Sequence, residues 1–299
     1  MIAKAAVRNA ATGLRRVANA AGIDFQRYSK SSWRWSNSVD EYYPVEPQPR
    51  WGYGKPPHPQ ITKQFESQRE KFSRFLDDLS ENANMLASIP TEGDPSSNAP
   101  YWANGFFAYL DAASLVAMLL RHRPQRYLEI GSGNSTKFAR HAVNAAKLST
   151  RIISIDPQPR AEIDPLCDES HRRRLEDCDL TLFDQLDRGD ILFFDGSHRL
   201  FTNSDVAVFF LELMPRLKPG VIVHIHDIFL PLDYPPAWNK RLYSEQYMLA
   251  AMMLCPRPSF NVLLPNCFIS IDSVLRSEVA SYLLPKGWLA GSFWIETVQ

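Results

Sequence analysis

Hydrophobic positions change their spacing twice along the chain. Between Gln60 and Ile89, Ile61, Phe65, Phe72, Phe75, Leu76 and Leu79 recur at three, four and seven residues, which predicts one amphipathic helix. A loop rich in breakers, Pro90 to Pro100, precedes the long apolar run Trp102 to Leu120, which predicts a helix over Tyr101 to His122, stopped ahead of Pro124. From Arg126 onward, short apolar runs alternate with helical ones. Arg126–Ile130, Arg151–Ile155, Ile191–Phe194 and Val221–Ile225 read as strands, with Phe260–Leu264 and Ser292–Ile295 as late candidates. Helices are expected from Ser135 to Lys147, Asn203 to Leu217 and Tyr243 to Leu254.

Strands joined through helices require crossovers, and these are right-handed, so the expected fold is α/β: a doubly wound, Rossmann-like, mostly parallel sheet covered on both faces. Ligands of such sheets bind outside the carboxyl ends of the strands. Here those ends carry Gly131, Asp156, Asp195 and Asp227. The expected organisation is an N-terminal extension over residues 1–100, made of helices and a proline- and aromatic-rich loop, followed by the α/β domain over 101–299. Within the extension, Trp33 to Gln60 holds six prolines and six aromatics, and reads as a segment wrapped on a surface, where it could cover a substrate.

Composition narrows the classes. Lysine plus arginine and aspartate plus glutamate both number 33, for a net charge of zero, which argues against a dedicated nucleic-acid binder. Asp111, near the centre of the apolar run, argues for a buried helix and no membrane span. Cys167, Cys178, Cys255 and Cys267 show no zinc-type pairing and fit a reducing cytosol. Met1 to Ala21 is basic and free of acids; an exposed helical extension explains it more simply than a transit peptide or a membrane-surface helix. A cytoplasmic location is therefore expected.

The most specific stretch is Leu128 to Thr136, with Glu129, Gly131, Gly133 and Ser135 at a strand-to-helix junction. Glycines there allow a tight turn and close approach of the backbone to a ligand. Asp156 stands 23 residues beyond Gly133, at the next strand end, where a carboxylate can accept both ribose hydroxyls. A dinucleotide site would prefer a third glycine where this chain has Thr136. That departure, and the acid Glu129, suit S-adenosylmethionine better, since its sulfonium and amino group are cationic.

Four motifs, Glu129–Ser135, Ser154–Pro157, Asp195–His198 and His226–Asp227, stand in an order and spacing that resembles the class I S-adenosylmethionine-dependent methyltransferases, and among them the bacterial small-molecule branch. The resemblance covers roughly half of the chain. It implies a seven-stranded sheet whose last strand is antiparallel. It also implies that Glu129, Gly131 and Gly133 line the methionine and ribose part of the cofactor and that Asp156 holds the ribose. For the adenine, Glu176, Asp177 and Asp179 compete.

The chemistry should lie at the Asp195 and Asp227 edge. His198 follows a strand and has the pKa of a general base for an alcohol or phenol. His226 and Asp227, with His224 on the same strand face, are further candidates, and a two-histidine, one-carboxylate iron triad would make the chain an oxygenase. In some related methyltransferases Mg²⁺ sits between the acids that end the fourth and fifth strands, here Asp195 and Asp227, although Ile228 stands where a further ligand is usual. The expected function is thus methyl transfer from S-adenosylmethionine to a small hydroxylated molecule, with Mg²⁺ or Mn²⁺ as an optional second cofactor. The alternatives are a metal-dependent oxygenase and a non-catalytic cofactor-binding module. Assembly as a homo-oligomer is compatible with the sequence. Asp233, Arg241 and Glu245, beyond the fifth strand, read either as substrate contacts or as helix-end charges. Arg172 to Arg174, with Arg160, read as a solvated face.

Overall fold

The computed structural model describes residues 47–107 and 109–298. The basic start of the chain and the aromatic stretch before residue 47 lie outside the described residues. Seven strands form one sheet: β1 Arg126–Ile130, β2 Arg151–Ile155, β3 Glu169–His171, β4 Ile191–Phe194, β5 Ile222–Ile225, β6 Phe260–Pro265 and β7 Phe293–Thr297. Their spatial order is β3-β2-β1-β4-β5-β7-β6. All neighbours pair in parallel except β7, which runs antiparallel to both β5 and β6. The fold is the Rossmann-like α/β architecture expected, down to the single reversed strand.

The direction of winding reverses between β1 and β4. The crossover from β1 to β2 uses the helix Asn134–Ala145, and that from β4 to β5 uses the helical segment Asp205–Arg216. Right-handed crossovers running in opposite directions lie on opposite faces of the sheet. The switch between β1 and β4 therefore opens a crevice at the strand ends, where this class of sheet binds ligands. Register sharpens the point. Ile130 pairs with Ile155 on one side and Phe194 on the other, and Phe194 pairs with Ile225. Gly131, Asp156, Asp195 and His226 consequently leave the sheet at one level. Each carries the ladder one bond further, for example Gly131 N–H to Ile155 O at 3.0 Å and Asp195 N–H to Ile130 O at 2.8 Å.

Three expected elements differ. The single helix over 60–89 is three, Pro59–Glu66, Arg69–Glu81 and Ala83–Ala87, interrupted at Ser67-Gln68 and at Asn82. The predicted stripe still faces inward: Ile61, Phe65, Phe72, Phe75, Leu76 and Leu79 are all buried. The helix expected from Tyr101 begins only at Leu110. Asn104 diverts the preceding chain: its side chain donates to Tyr101 O and Phe107 O and accepts from Phe106 N and Phe107 N, and Gly105 turns through a φ of +77°. Such local side-chain bonds outcompete helix. The segment Asn203–Leu217 is regular only over Asp205–Val208, then widens and tightens before ending on Pro215 and Leu217.

Residues 47–100 share the main core rather than lying apart from it. Phe65 packs against Phe268 and Phe293, and Arg69 binds Asp272 at 2.8 Å. The described part of the proline-rich stretch wraps over the loop that follows β5. Asp233 accepts from Arg50 N and Trp51 N at 2.5 and 2.8 Å, and His58 N–H donates to Pro231 O. Among the described residues no helix is long and apolar enough to cross a membrane. The helix Leu110–His122 is buried instead. Its Asp111 accepts from Gly291 N, Ser292 N and Asn266 Nδ2, so the acid in the apolar run anchors the start of β7.

Candidate active site

The loop after β1 is held from beneath. Glu129, fully buried on β1, accepts from the Tyr127 hydroxyl at 3.0 Å and the Thr136 hydroxyl at 2.5 Å. Thr136 Oγ1 in turn accepts from Gly133 N–H at 3.1 Å. A chain of bonds thus runs from the glycine loop through Thr136 to Glu129. Burial pushes the Glu129 carboxyl up to about 7, although Ser135, Thr136, Tyr127 and Ser132 hydrogen-bond its charged form. Glu129 lies buried beneath the loop. Ser135 is buried beside it.

The two glycines do different work. Gly131 has a φ of +81°, and a Cβ there would stand 2.0 Å from the carbonyl oxygen of Asp195. Only glycine lets the β1 loop press against the β4 end so closely. Gly133 is extended, and a Cβ on it would meet nothing within 4 Å, so that side of the loop faces open space. Asp156 lies across from it, accepting from Ser132 N at 2.8 Å and Gln158 N at 2.7 Å. Each of its oxygens retains a lone pair for a further donor. Asp177 is paired with Arg174 and Asp179 caps its own short helix through Thr181 N, which leaves Glu176 the least committed of the three acids proposed for adenine.

Four carboxylates and two imidazoles gather at the ends of β4 and β5. His198 Nε2 lies 3.3 Å from Asp195 Oδ1 and 3.5 Å from Asp227 Oδ2, while its Nδ1 lies 2.5 Å from Glu245 Oε1. His226 Nδ1 lies 3.5 Å from Asp195 Oδ1 and 3.7 Å from Asp227 Oδ1, and its Nε2 is 3.7 Å from Asp111 Oδ2. The backbone is strained here: His198 and Asp227 adopt φ values of +61° and +57°. Asp205 fixes the His198 loop by accepting from Ser197 N at 2.6 Å and from the Ser197 hydroxyl.

Electrostatics follow from this crowding. Burial disfavours the charged form of His198, but Glu245, then Asp227 and Asp195, more than reverse it and hold the imidazole up at about 9. Burial and the Asp195 and Asp227 charges act on His226 in the same two senses, and the charges prevail. Asp195 is held below the usual carboxylate range because the two imidazoles outweigh its burial, whereas burial keeps Asp227 above it. Burial likewise raises Glu245, to about 7, and carboxylates outnumber imidazoles here four to two.

The site fits a cation. Asp195, His198 and Asp227 each present a ligand atom, all within 4.8 Å of one another. A divalent ion there would supply Lewis acidity to a bound hydroxyl. The oxygenase triad does not assemble. His224 stacks on Trp294 at 3.8 Å and bonds Ser292 Oγ at 2.7 Å, away from Asp227. Of the three residues beyond β5, Asp233 is occupied by segment 50–53 and by Tyr247, and Arg241 lies on the rings of Trp238 and Tyr243. Glu245 alone enters the cluster. Its position at the start of the helix Glu245–Met253 gave no sign of burial, and only an acid out of pattern on a half-apolar helix could have pointed to it.

A methyltransferase-domain family matches residues 128–228, the span from β1 to the residue after Asp227. The match spans about a third of the chain and takes in all four motifs on which the resemblance to the class I S-adenosylmethionine-dependent methyltransferases rests. No curated protein matches the chain in sequence. Among solved structures, this chain is similar to the SAH-bound Podospora anserina methyltransferase PaMTH1, at 17% identity over 75% of this chain and 88% of that one, with a TM-score of 0.39. It is also similar to the plantazolicin methyltransferase BpumL in complex with SAH, at 12% identity over 80% of this chain and 100% of that one, with a TM-score of 0.42.

Proposed function

We propose that the protein transfers the methyl group of S-adenosylmethionine to a hydroxyl oxygen of a small molecule. The observation that carries this reading is the contact between Gly131 and Asp195, which sets the cofactor loop against the acidic edge. The open side of Gly133, together with Asp156, would take the amino-acid and ribose parts of the cofactor, with Glu129 and Ser135 fixing the loop behind them. The sulfonium then lies toward Asp195, next to the groups that can hold an acceptor.

Methyl transfer is an in-line displacement: the acceptor oxygen forms a bond to the methyl carbon as the carbon–sulfur bond breaks, and the hydroxyl proton must leave. Alignment supplies most of the rate, and a base adds about 10²–10⁴-fold. Asp195 and Asp227 would hold the acceptor hydroxyl, directly or around Mg²⁺ or Mn²⁺; His198 and His226, held protonated by the acids around them, can accept its proton only after a bound cation has displaced theirs. Balanced charge supports a small molecule rather than a nucleic acid as substrate. Four free thiols suit a reducing, cytoplasmic setting. Calorimetry with S-adenosylmethionine, S-adenosylhomocysteine and NAD tests the reading: the first two should bind and NAD should not, and a chain that prefers NAD would refute it.

A further inference from the structure

A pocket of about 320 Å³ lies beside the loop after β5, walled by the rings of Tyr234, Trp238, Tyr243 and Tyr247 and by Pro47 and Pro49. The rings meet nearly at right angles. Tyr234 stands 5.6 Å from Tyr243 at 80°, Trp238 5.6 Å from Tyr243 at 75°, and Tyr234 5.9 Å from Tyr247 at 83°. A flat guest stacked on one ring therefore meets the edge of the next, and both contacts are ones that aromatic pairs prefer. The ring hydroxyls are held elsewhere. Tyr247 donates to Asp233 Oδ1 at 2.9 Å, Tyr234 accepts from Gln246 N–H at 3.3 Å, and Arg241 engages the Tyr243 hydroxyl. Among the described residues of the lining, Asp233 alone carries a charge. Its other oxygen accepts from Arg50 N–H and Trp51 N–H, so the same carboxylate fastens the proline wall to the aromatic one.

Two of these residues also touch the reacting edge. The Tyr243 ring lies 4.5 Å from the His198 ring, and its phenol is pushed up by burial and then by the Asp227 and Asp195 charges. Ser244, next to it in the lining, donates its N–H to His198 O at 2.8 Å and accepts from Leu200 N–H at 2.8 Å. We propose that this pocket is the acceptor subsite, and that the acceptor is a neutral aromatic alcohol whose ring lies among Tyr234, Trp238, Tyr243 and Tyr247 and whose hydroxyl meets Asp195 and Asp227. The assignment deepens the methyl-transfer reading and rests on it. Size agrees: an apolar cavity of about 150 Å³ already holds benzene, so this one takes a substituted ring or a fused pair. Charge agrees as well. An aromatic box with an unengaged acid would suit an ammonium group. Here Asp233 is bonded to three donors and the Arg241 guanidinium lies over Trp238 at 4.1 Å, which leaves the box near neutral. A sugar would need polar partners around its ring, and the side chains of Asp233, Asn239 and Ser244 are bonded within the chain.

The probe is 2-naphthol, added to the full chain and followed by calorimetry, with cyclohexanol, glucose and tetramethylammonium as comparators. It should bind about 10-fold more tightly than cyclohexanol, which has no π face, and glucose and tetramethylammonium should not bind. Trp238→Leu and Tyr247→Leu should each weaken 2-naphthol by about 3–10-fold, the scale of one lost aromatic contact, and leave S-adenosylhomocysteine affinity unchanged. Trp238→Phe and Tyr247→Phe keep a ring and should restore the binding. Tyr247 is 42% exposed, so its variants serve where those at Trp238 fail to fold. With S-adenosylmethionine, 2-naphthol should be converted to its methyl ether, with S-adenosylhomocysteine formed in equal amount. Absence of 2-naphthol binding, equal binding of cyclohexanol, tighter binding of glucose or tetramethylammonium, unchanged affinity in both leucine variants, or no ether from a chain that binds both partners would each overturn the proposal. Calorimetry with S-adenosylhomocysteine on the same samples separates the two readings. Its binding without 2-naphthol would remove the subsite alone. Binding of 2-naphthol without it would leave a pocket for aromatic rings and remove the methyltransferase reading.

Discussion

Asp111 and Asn266 hold the start of β7 between them: Asn266 Nδ2 donates to Asp111 Oδ1 at 2.9 Å, and the same carboxylate accepts from Gly291 N and Ser292 N. These donors are all buried. Asp111→Ala would strand two backbone N–H groups, leave the Asn266 amide to Ser114 and Leu110, and remove the acid facing His226. Breaking a buried charged network typically costs about 3–5 kcal/mol. Denaturant unfolding should register a loss on that scale, with Asp111→Asn intermediate. A loss below 1 kcal/mol would mean that water replaces the carboxylate.

The glycine loop offers a paired test. Gly131→Ala places a side chain at positive φ and against the Asp195 carbonyl, so it should lower the melting temperature markedly. Gly133→Val adds its side chain to open space. It should leave the melt close to wild type yet abolish binding of S-adenosylhomocysteine, because it fills the room the ligand needs. Equal effects of the two substitutions on stability would contradict this division.

How far the sequence reached can be judged from such positions. The strand ends at Gly131, Asp156, Asp195 and Asp227 were legible because each follows an apolar run buried on both faces, the clearest signal a parallel sheet gives. β3 was not legible: Glu169-Ser170-His171 is a half-buried edge of three polar residues with no apolar pattern to find. The helix break at Asn104 depends on four bonds from one side chain, which periodicity does not register. Glu245 joins His198 across 47 residues, and no local spacing encodes such a meeting. Asp111 was visible as an anomaly in an apolar run, but its partners come from β7.

Ribose recognition is tested at Asp156. Asp156→Ala should weaken S-adenosylhomocysteine binding by about 1–3 kcal/mol, the scale of lost charge-assisted hydrogen bonds. Asp156 also accepts from Ser132 N and Gln158 N, so part of the loss would reflect a looser loop. Adenosine analogues lacking the ribose hydroxyls separate the two: in the variant they should lose only the part due to the loop. If they lose as much affinity as S-adenosylhomocysteine does, Asp156 acts on the loop alone.

Glu129 predicts a pH dependence of stability. Its folded-state value is raised by burial to about 7, above the ordinary 4.5. The native state therefore binds this proton more tightly than the unfolded state. The associated stability is fully present below about pH 4.5 and is lost as pH rises through 7, an amount on the order of 3 kcal/mol. Glu129→Gln should remove this component, so the variant should lose less stability than wild type between pH 5 and pH 8. Parallel pH profiles in urea unfolding would show that the hydrogen bonds from Tyr127 and Thr136 fully offset the burial.

The last prediction concerns where the folding unit begins. Ile61, Phe65, Phe72, Phe75, Leu76 and Leu79 belong to the same core as the sheet, through Phe268 and Phe293 and through the helix Leu110–His122. Each large apolar side chain buried there contributes about 1.5–3 kcal/mol, and the net stability of a domain is only about 5–15 kcal/mol. A chain starting at Tyr101 would lose all six and expose the surfaces they cover, so it should not fold cooperatively. A chain starting at Pro47 keeps them, along with the bonds from Arg50 and Trp51 to Asp233. It should melt in one transition near that of the full chain. Limited proteolysis gives the complementary check, since cleavage near residue 100 should release no stable 1–100 fragment. A truncated 101–299 chain with a sharp melt and native affinity for S-adenosylhomocysteine would move the boundary to Tyr101 and make residues 47–100 a dispensable cover.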